Sequence, residues 1–244
     1  MTILSTIHQK IKAGQKLFAV LIDPDKFSQK NLLKIITAME TASPDMILVG
    51  GSLVNDRIEM VVDILKHKLN IPVVLFPGNL MQLSPHADGI LFISLISGRN
   101  PELLIGNHVA AAPFLRKTGM EILPTGYMLI DGGTTTSVAY MSQTQPIPAH
   151  KPEIAVATAM AGEMLGQQLI YLEGGSGALN PVPGSMIEAV KNNISVPLIV
   201  GGGLNTVEKV KTACLSGADI IVVGNALEKD LSLLKEFKTL IHSY

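Results

Sequence analysis

The sequence has almost no net charge, a single cysteine and no long apolar run, and each shortage excludes a class of protein. The 19 Lys and Arg against 20 Asp and Glu leave a formal charge of −1, so no strong field attracts nucleic acid or an anionic membrane. Cys214 has no partner for an internal disulfide and is consistent with a reducing cytoplasm. The sequence has no run of about 18 apolar residues, the length that could span a bilayer. Its N-terminus lacks the features of a secretory signal. We therefore expect a cytoplasmic globular protein.

What the sequence does contain is apolar. Hydrophobic residues make up 47% and charged residues 16% of the 244 residues, a balance that excludes disorder. The apolar residues gather in short runs that do not alternate with polar ones, which is typical of strands buried on both faces. The runs cover residues 17–23, 45–52, 71–78, 88–95, 120–130, 168–177, 196–203 and 218–225.

Segments with helical periodicity separate these runs. Repeated strand–helix units over about 250 residues are typical of the (β/α)₈ barrel, and no change in composition marks a domain boundary. We therefore predict one TIM-like barrel domain over residues 1–244. A doubly wound open sheet is the alternative, although it rarely uses so many evenly spaced units.

Helix boundaries can be predicted from capping residues and apolar stripes. Ser28 is placed to cap a helix, and Asn205 with Glu208 has the spacing of a capping box. A helix ending before Gly217 would bury Cys214 in the core. The apolar stripes of the first and last of these helices comprise Leu32, Leu33, Ile35, Ile36 and Met39, and Leu227, Leu231, Leu234, Phe237 and Ile241.

Two connections depart from the regular pattern. Residues 79–87 are too few for a full covering helix and include Pro85, so the third outer helix is expected to be shortened or missing. That would open an apolar gap in the barrel wall. Residues 131–152 are polar, rich in Thr, Gln and Pro, and long enough to form a lid or binding loop.

Glycines follow each of the last three strands. Gly174, Gly175 and Gly177 follow the sixth, Gly201 to Gly203 the seventh, and Gly224 with Asn225 the eighth. Barrels commonly bind phosphate at the loops after strands seven and eight, where a side chain would block the approach to backbone amides. Tight turns would explain the glycines equally simply, but the clustering on neighbouring strands favours a phosphate site.

Polar side chains stand at several strand ends. Glu173 ends the sixth strand and is placed to act as a base, with Tyr171 on the same side of a regular strand. A structural ion pair is the alternative role for Glu173. Asp23 and Asp25 follow the first strand and Ser52 the second, so a carboxylate and a hydroxyl could share Mg²⁺ with a substrate phosphate. The six histidines lack the spacing of a zinc site.

The motifs IDPDK, VGGS, YLEGGSG, VGGG and VGN, in this order, resemble the geranylgeranylglyceryl phosphate synthase family, which includes heptaprenylglyceryl phosphate synthases. The resemblance runs from Asp23 to Asn225. It implies a TIM-like barrel that joins a polyprenyl diphosphate to the 3-hydroxyl of sn-glycerol 1-phosphate and releases diphosphate. Some members carry a Lys two residues before the first Asp, where this chain has Leu21. The chain therefore resembles the geranylgeranyl branch more closely.

The same resemblance implies roles for individual residues. Asp23 and Ser52 would hold Mg²⁺, and Glu173, assisted by Tyr171, would deprotonate the attacking hydroxyl. Glycerol 1-phosphate would be held by Tyr171, Leu172, Glu173, Gly174, Gly175, Ser176, Gly177, Gly202, Gly203, Gly224 and Asn225.

The expected partners are therefore small molecules, glycerol 1-phosphate and a polyprenyl diphosphate. The wall gap offers the prenyl tail an apolar path, and Leu75, Leu80, Leu83, Leu91 and Ile93 are candidates for its lining. Exposed apolar surface would favour a homo-oligomer, and the lipid product would favour transient membrane contact. Three alternatives remain. The donor could be another polyprenyl diphosphate, such as heptaprenyl diphosphate. The protein could instead be a phosphosugar isomerase, aldolase or lyase, or a non-catalytic phosphate-binding module.

Overall fold

The computed structural model describes residues 2–26, 28–51 and 57–244, which form one closed barrel of eight parallel strands in chain order. The barrel closes where Leu17 of the first strand pairs with Ile220 of the last. This confirms the predicted barrel over the open sheet. The strands are β1 Leu17–Ile22, β2 Met46–Val49, β3 Val73–Leu75, β4 Gly89–Leu95, β5 Glu121–Leu129, β6 Leu169–Glu173, β7 Leu198–Gly201 and β8 Ile220–Val223.

Helices surround the barrel and close one end of it. A π-helical turn over Glu102–Gly106 leads into the helix after β4. The α-helices are α1 Ile3–Lys12, α2 Gln29–Thr41, α3 Ile58–Lys68, α4 Asn107–Thr118, α5 Ser137–Ser142, α6 Pro152–Met164, α7 Gly184–Lys191, α8 Val207–Leu215, α9 Asn225–Lys229 and α10 Leu233–Ile241. Helix α1 covers the N-terminal end of the strands, where its Ile7 packs into the barrel interior.

Alternate strand residues face two separate apolar layers, as the period of two requires. In β1, Leu17 and Ala19 belong to the barrel interior, whereas Phe18 and Val20 pack against the outer helices. Strands with two buried faces explain the uninterrupted apolar runs of the sequence. The open, C-terminal end of the barrel remains available for a site.

The predicted helix boundaries are partly right. The Ser28 hydroxyl accepts a hydrogen bond from the Asn31 amide at 3.3 Å, which confirms the cap of α2, but Leu33 is 47% exposed and lies off the buried stripe. Thr206, not Asn205, caps α8, because the Asn205 side chain accepts instead from the Lys209 ammonium. Cys214 is buried in the core, as predicted.

The predicted final helix is in fact two helices. Helix α9 ends at Lys229, and Asp230 turns the chain with its carboxylate accepting from the Ser232 amide at 2.9 Å. Leu227 is buried in α9, and Leu234, Phe237 and Ile241 are buried in α10. The predicted apolar stripe is therefore correct, but the prediction that one continuous helix carries it is wrong.

The missing third helix is confirmed. Residues 76–88, all of them described, form turns between β3 and β4. The fully buried Gln82 holds this segment in place of helical packing. Its carboxamide oxygen accepts from the Gly51 and Gly78 amides at 3.2 and 3.1 Å, and its nitrogen donates to the Gly51 carbonyl at 2.7 Å.

The long connection after β5 folds over the open end of the barrel. It contains α5, and Ile147 pairs in parallel with Ile130. The Gly132 carbonyl accepts from the Asn180 amide at 3.0 Å, which ties the connection to the loop after β6. Among the described residues no helix is long and apolar enough to cross a membrane.

Candidate active site

A polar cavity of about 750 Å³ lies at the C-terminal end of the strands, and most of the predicted site residues line it. Its wall is built from the loops after β1, β6, β7 and β8, together with α5. The predicted residues that the structure brings together here are Asp23, Tyr171, Glu173, Ser176, Gly177, Gly202, Gly203, Gly224 and Asn225.

Backbone amides make up much of the cavity wall next to the glycines. Within the described part of the chain, the amides of Ser176, Gly177, Gly202 and Gly203 donate no hydrogen bond. Gly202 has φ +82°, and a Cβ there would come within 2.5 Å of the Gly175 nitrogen. Exposed amides beside a glycine that has no room for a side chain fit the oxygens of a phosphate.

Three of the residues predicted to hold glycerol 1-phosphate have groups that are engaged within the protein. The Leu172 side chain is buried in the outer layer between the barrel and its helices, because it follows the inward-facing Tyr171. The Gly174 amide donates to the Gly201 carbonyl at 2.9 Å, and the Gly175 amide donates to the Glu173 carboxylate at 2.6 Å. These residues shape the cavity, but their groups are already engaged.

Glu173 lies at the end of β6, inside the barrel mouth, and is only 6% exposed. Burial raises the pKa of its carboxyl to about 7, although the hydrogen bond from the Gly175 amide and the nearby Tyr171 hydroxyl oppose the shift. A buried carboxylate with a pKa near neutrality can take up and release a proton at physiological pH. The position therefore suits a general base.

Tyr171 forms the floor of the cavity. Its ring stacks on Phe76 at a centroid distance of 5.5 Å and packs against Tyr127 at 5.2 Å. Its hydroxyl is buried without a well-aligned hydrogen bond in the described part of the chain. Burial, followed by the charge of Glu173, raises the pKa of Tyr171 well above its ordinary range. The hydroxyl therefore remains a neutral donor beside Glu173.

The loop after β1 brings charged groups to the opposite wall. The Lys26 ammonium lies 3.5 Å from the Asp23 carboxylate and 3.6 Å from that of Glu228. Burial raises the pKa of both carboxyl groups, and Lys26 lowers it. Lys26 and Glu228 were not predicted as site residues, although Lys26 is the last residue of the IDPDK motif.

The metal-binding prediction rests on fewer residues than expected. Ser52 lies outside the described residues. In the described part of the chain no group of three or more His, Cys, Asp and Glu is arranged around a metal position. Asp23 lines the cavity with a carboxylate that is 16% exposed. One carboxylate beside a phosphate site fits Mg²⁺, which keeps bound waters and binds substrate phosphates.

A second, apolar cavity of about 320 Å³ opens beside the first, and we call it the groove. It runs through the wall between β3, β4 and α4, where the covering helix is missing. Gly51, Phe76, Tyr127 and Val138 line both cavities, so the two lie next to each other. The other groove residues are mainly apolar and include Leu80, Leu83, Ile90, Leu91, Phe92, Ile93, Leu95, Leu103, Ala111 and Met141.

Four of the five residues predicted to line a prenyl path line the groove. Leu80, Leu83, Leu91 and Ile93 line it, as predicted. Leu75 is buried in the outer layer of the barrel instead. Gln82 pins the turn segment against the end of β2, which leaves the opening between that segment and α4.

Comparison with known proteins agrees with this geometry. The family model described as "PcrB family" matches residues 9–241. A geranylgeranylglyceryl phosphate synthase of Chitinophaga pinensis is 50% identical over 98% of this chain and 95% of its own. The one from Thermococcus gammatolerans is 44% identical over 96% of this chain and 92% of its own.

A solved structure supports the same conclusion and adds a ligand. The synthase of Thermoplasma acidophilum, solved in complex with its substrate sn-glycerol 1-phosphate, is 31% identical with a TM-score of 0.94 and covers 100% of both chains. These comparisons confirm three predictions for this chain: the family, the barrel fold and the enzyme class, a prenyltransferase. The chain belongs to the PcrB family.

Proposed function

We propose that this enzyme joins geranylgeranyl diphosphate to the 3-hydroxyl of sn-glycerol 1-phosphate, giving geranylgeranylglyceryl phosphate and diphosphate. The single observation that carries the proposal is the junction of the two cavities. A cavity with charged side chains and exposed amides borders an apolar groove, and the buried Glu173 lines the first of the two. The relatives' names and the glycerol 1-phosphate complex support the same reaction.

The phosphate of glycerol 1-phosphate would bind the exposed amides of the loops after β6 and β7. This placement leaves the glycerol hydroxyls pointing towards Glu173. The Glu173 carboxylate takes the proton of the 3-hydroxyl as the oxygen bonds to C1 of the prenyl group. The bond between C1 and the diphosphate oxygen breaks, and diphosphate leaves with the electron pair.

The groove would bind the prenyl tail. Each buried CH₂ group contributes roughly 0.8 kcal/mol, so a long chain needs a continuous apolar lining of the kind that the groove provides. An assay with glycerol 1-phosphate and a series of prenyl diphosphates, with products identified by mass, tests both donor length and reaction. Turnover of a phosphosugar without a prenyl diphosphate would instead support the isomerase or lyase alternative.

Mg²⁺ is part of the proposal, with Asp23 and Ser52 as its protein ligands. When bound, it would neutralise charge on the departing diphosphate. Asp23 lines the same cavity as Glu173, which supports a metal ion bound beside the reacting groups.

Replacing the proposed metal ligand is expected to remove activity without unfolding the protein. Asp23→Asn should abolish Mg²⁺-dependent turnover, because an amide is a weaker ligand than a carboxylate. Ser52→Ala should have a smaller effect. Steady-state kinetics over a range of Mg²⁺ concentrations, with circular dichroism as the check on folding, measure this. Full activity of EDTA-treated enzyme would remove the metal from the proposal.

Narrowing the groove is expected to shorten the preferred donor. Ala111 lies on α4 and lines the groove, so Ala111→Phe should favour shorter prenyl diphosphates while the KM for glycerol 1-phosphate changes little. Ala112→Phe is the matched control, because Ala112 is the next residue along α4 and its side chain is exposed to solvent. Mass analysis of products from mixed donors reports the preference. The same product profile for both variants would place the tail outside the groove.

Exposed apolar side chains support the remaining parts of the proposal. Leu80 and Met141 line the groove and are still 38% and 53% exposed, and Met81 and Tyr140 beside them are each 77% exposed. This apolar rim supports transient membrane contact during exchange of a lipid. Cys214, buried and unpaired, remains the support for a cytoplasmic location.

A separate apolar surface supports a homo-oligomer. Helix α6 presents Ile154, Met164 and Leu165 to solvent, at 45%, 78% and 81% exposure. The exposed positions between them are Ala157 and Ala161, small residues that permit close helix contact. A helix face without charge is typical of a surface covered by another protein chain.

A further inference from the structure

We propose that Lys26 binds the phosphate of glycerol 1-phosphate directly, as the cation of the phosphate site. This inference rests on the proposed function and names a residue that the motif comparison had left without a role. It follows from the charge of the cavity, from the contacts of the ammonium group and from the turn that places it.

The cavity contains few cations for two phosphorylated substrates. Its lining includes Asp23, Asp25, Glu173, Glu228 and Asp230, against Lys26 and Lys229. The residue at position 21, which also lines the cavity, is a leucine. Backbone amides carry only partial charges, so a phosphate dianion bound beside these carboxylates requires a full positive charge close to it.

The ammonium of Lys26 already lies at the phosphate site. It donates to the Asn225 side-chain oxygen at 2.9 Å and to the Ser176 hydroxyl at 3.2 Å. Asn225 also donates from its side-chain nitrogen to Ser176 at 2.9 Å. Lys26 thus joins the loops after β6 and β8, and Ser176 also contributes one of the exposed amides. A phosphate bound at those amides would lie within reach of the ammonium.

The local sequence directs Lys26 to this position. Asp23, Pro24, Asp25 and Lys26 form a turn in which the Lys26 amide donates to the Asp23 carbonyl at 3.1 Å. Proline suits the second position of such a turn because its φ is fixed. The Asp25 amide also donates to the Asp23 carboxylate at 3.2 Å. The turn therefore sends the lysine side chain back across the barrel mouth.

The Lys26 ammonium contacts both the nearby carboxylates and a glycine loop. The Asp23 and Glu228 carboxylates lie 3.5 and 3.6 Å from it, and Ser176 of the loop after β6 accepts from it at 3.2 Å. Its side chain is 37% exposed, so a ligand entering the cavity can reach it. A phosphate is a stronger acceptor than the neutral groups that the ammonium now contacts.

The test is direct binding of sn-glycerol 1-phosphate by calorimetry without a prenyl donor, together with both KM values. Lys26→Met should raise the Kd for glycerol 1-phosphate about 10- to 100-fold, the range of one charge-assisted hydrogen bond. The KM for the prenyl diphosphate should change far less. Lys26→Arg should restore most of the affinity, because it keeps the charge.

Lys211→Met is the matched control. Lys211 lies on α8, is exposed and is not among the described residues that line the cavity. Its loss removes the same charge and should leave the Kd within about 2-fold, as expected for a screened surface charge.

The outcomes separate the two proposals. Wild-type enzyme that turns over while Lys26→Met keeps its Kd and KM for glycerol 1-phosphate would overturn the role of Lys26 alone. A defect confined to the KM of the prenyl diphosphate would also overturn it, since Lys26 would then serve the donor. A lower melting temperature with unchanged Kd would show a structural role. Wild-type enzyme that neither binds nor converts glycerol 1-phosphate would refute the proposed function itself.

Discussion

Glu173→Gln is expected to lower kcat by about 10²-fold or more and to leave the affinity for glycerol 1-phosphate within a few fold. The substitution keeps the shape of the side chain and its acceptor for the Gly175 amide, but a carboxamide cannot take up the hydroxyl proton. Pre-steady-state or steady-state turnover gives kcat, and calorimetry gives the affinity. The split between the two is the signature of a general base.

Lowering the pH should reduce the turnover of the wild-type enzyme, as the Glu173→Gln substitution does. Burial raises the pKa of Glu173 to about 7, so the base is protonated and inactive below that pH and becomes competent as the pH rises through it. The low-pH limb of kcat/KM, which reports the free enzyme, should therefore fall near 7 in the wild-type enzyme and disappear in the residual activity of Glu173→Gln. A control for the charge change is Glu208→Gln, on an exposed turn of α8. Comparable kcat in both variants would remove Glu173 from the role of base.

Much of the fold could be predicted because its signals are local and repeated. Strands buried on two faces must be apolar throughout, and the eight runs were found in their correct places. The missing helix was visible as a connection too short to contain one. Errors arose where neighbouring residues compete for one role. Thr206 and Asn205 can both cap a helix, and only the path of the chain into α8 selects Thr206.

The site was predictable to the extent that strand ends define it. Glu173 and the glycines follow strands directly, so the barrel brings them together. Lys26 was missed because its contacts are with residues 150 and 199 positions away, Ser176 and Asn225. The engagement of the Gly174 and Gly175 amides was equally hidden, since it depends on the pairing of β6 with β7 and on the rotamer of Glu173.

Substitution of Gly202 tests whether the glycine surface binds phosphate, and its expected effect is large. Gly202→Val places a β-branched residue at φ +82°, where its Cβ would overlap the Glu173 carboxylate and come within 2.5 and 2.7 Å of the Gly175 and Gly174 nitrogens. The KM for glycerol 1-phosphate should rise steeply, because the side chain fills the space next to the exposed amides. The kcat should fall as well, because Glu173 must move.

Backbone strain alone would lower stability. The prediction therefore needs a control in which a glycine of similar backbone conformation, but away from the cavity, is replaced by the same residue. Gly119 ends α4 at φ +72°, and a Cβ there has no heavy atom within 4 Å. Gly119→Val should lower the melting temperature through its left-handed backbone, a cost of about 1–2 kcal/mol, with KM and kcat unchanged. Gly202→Val should share that loss and add the kinetic defect. If both variants lose only stability and keep the wild-type KM, then Gly202 serves the turn and the phosphate must bind elsewhere in the cavity.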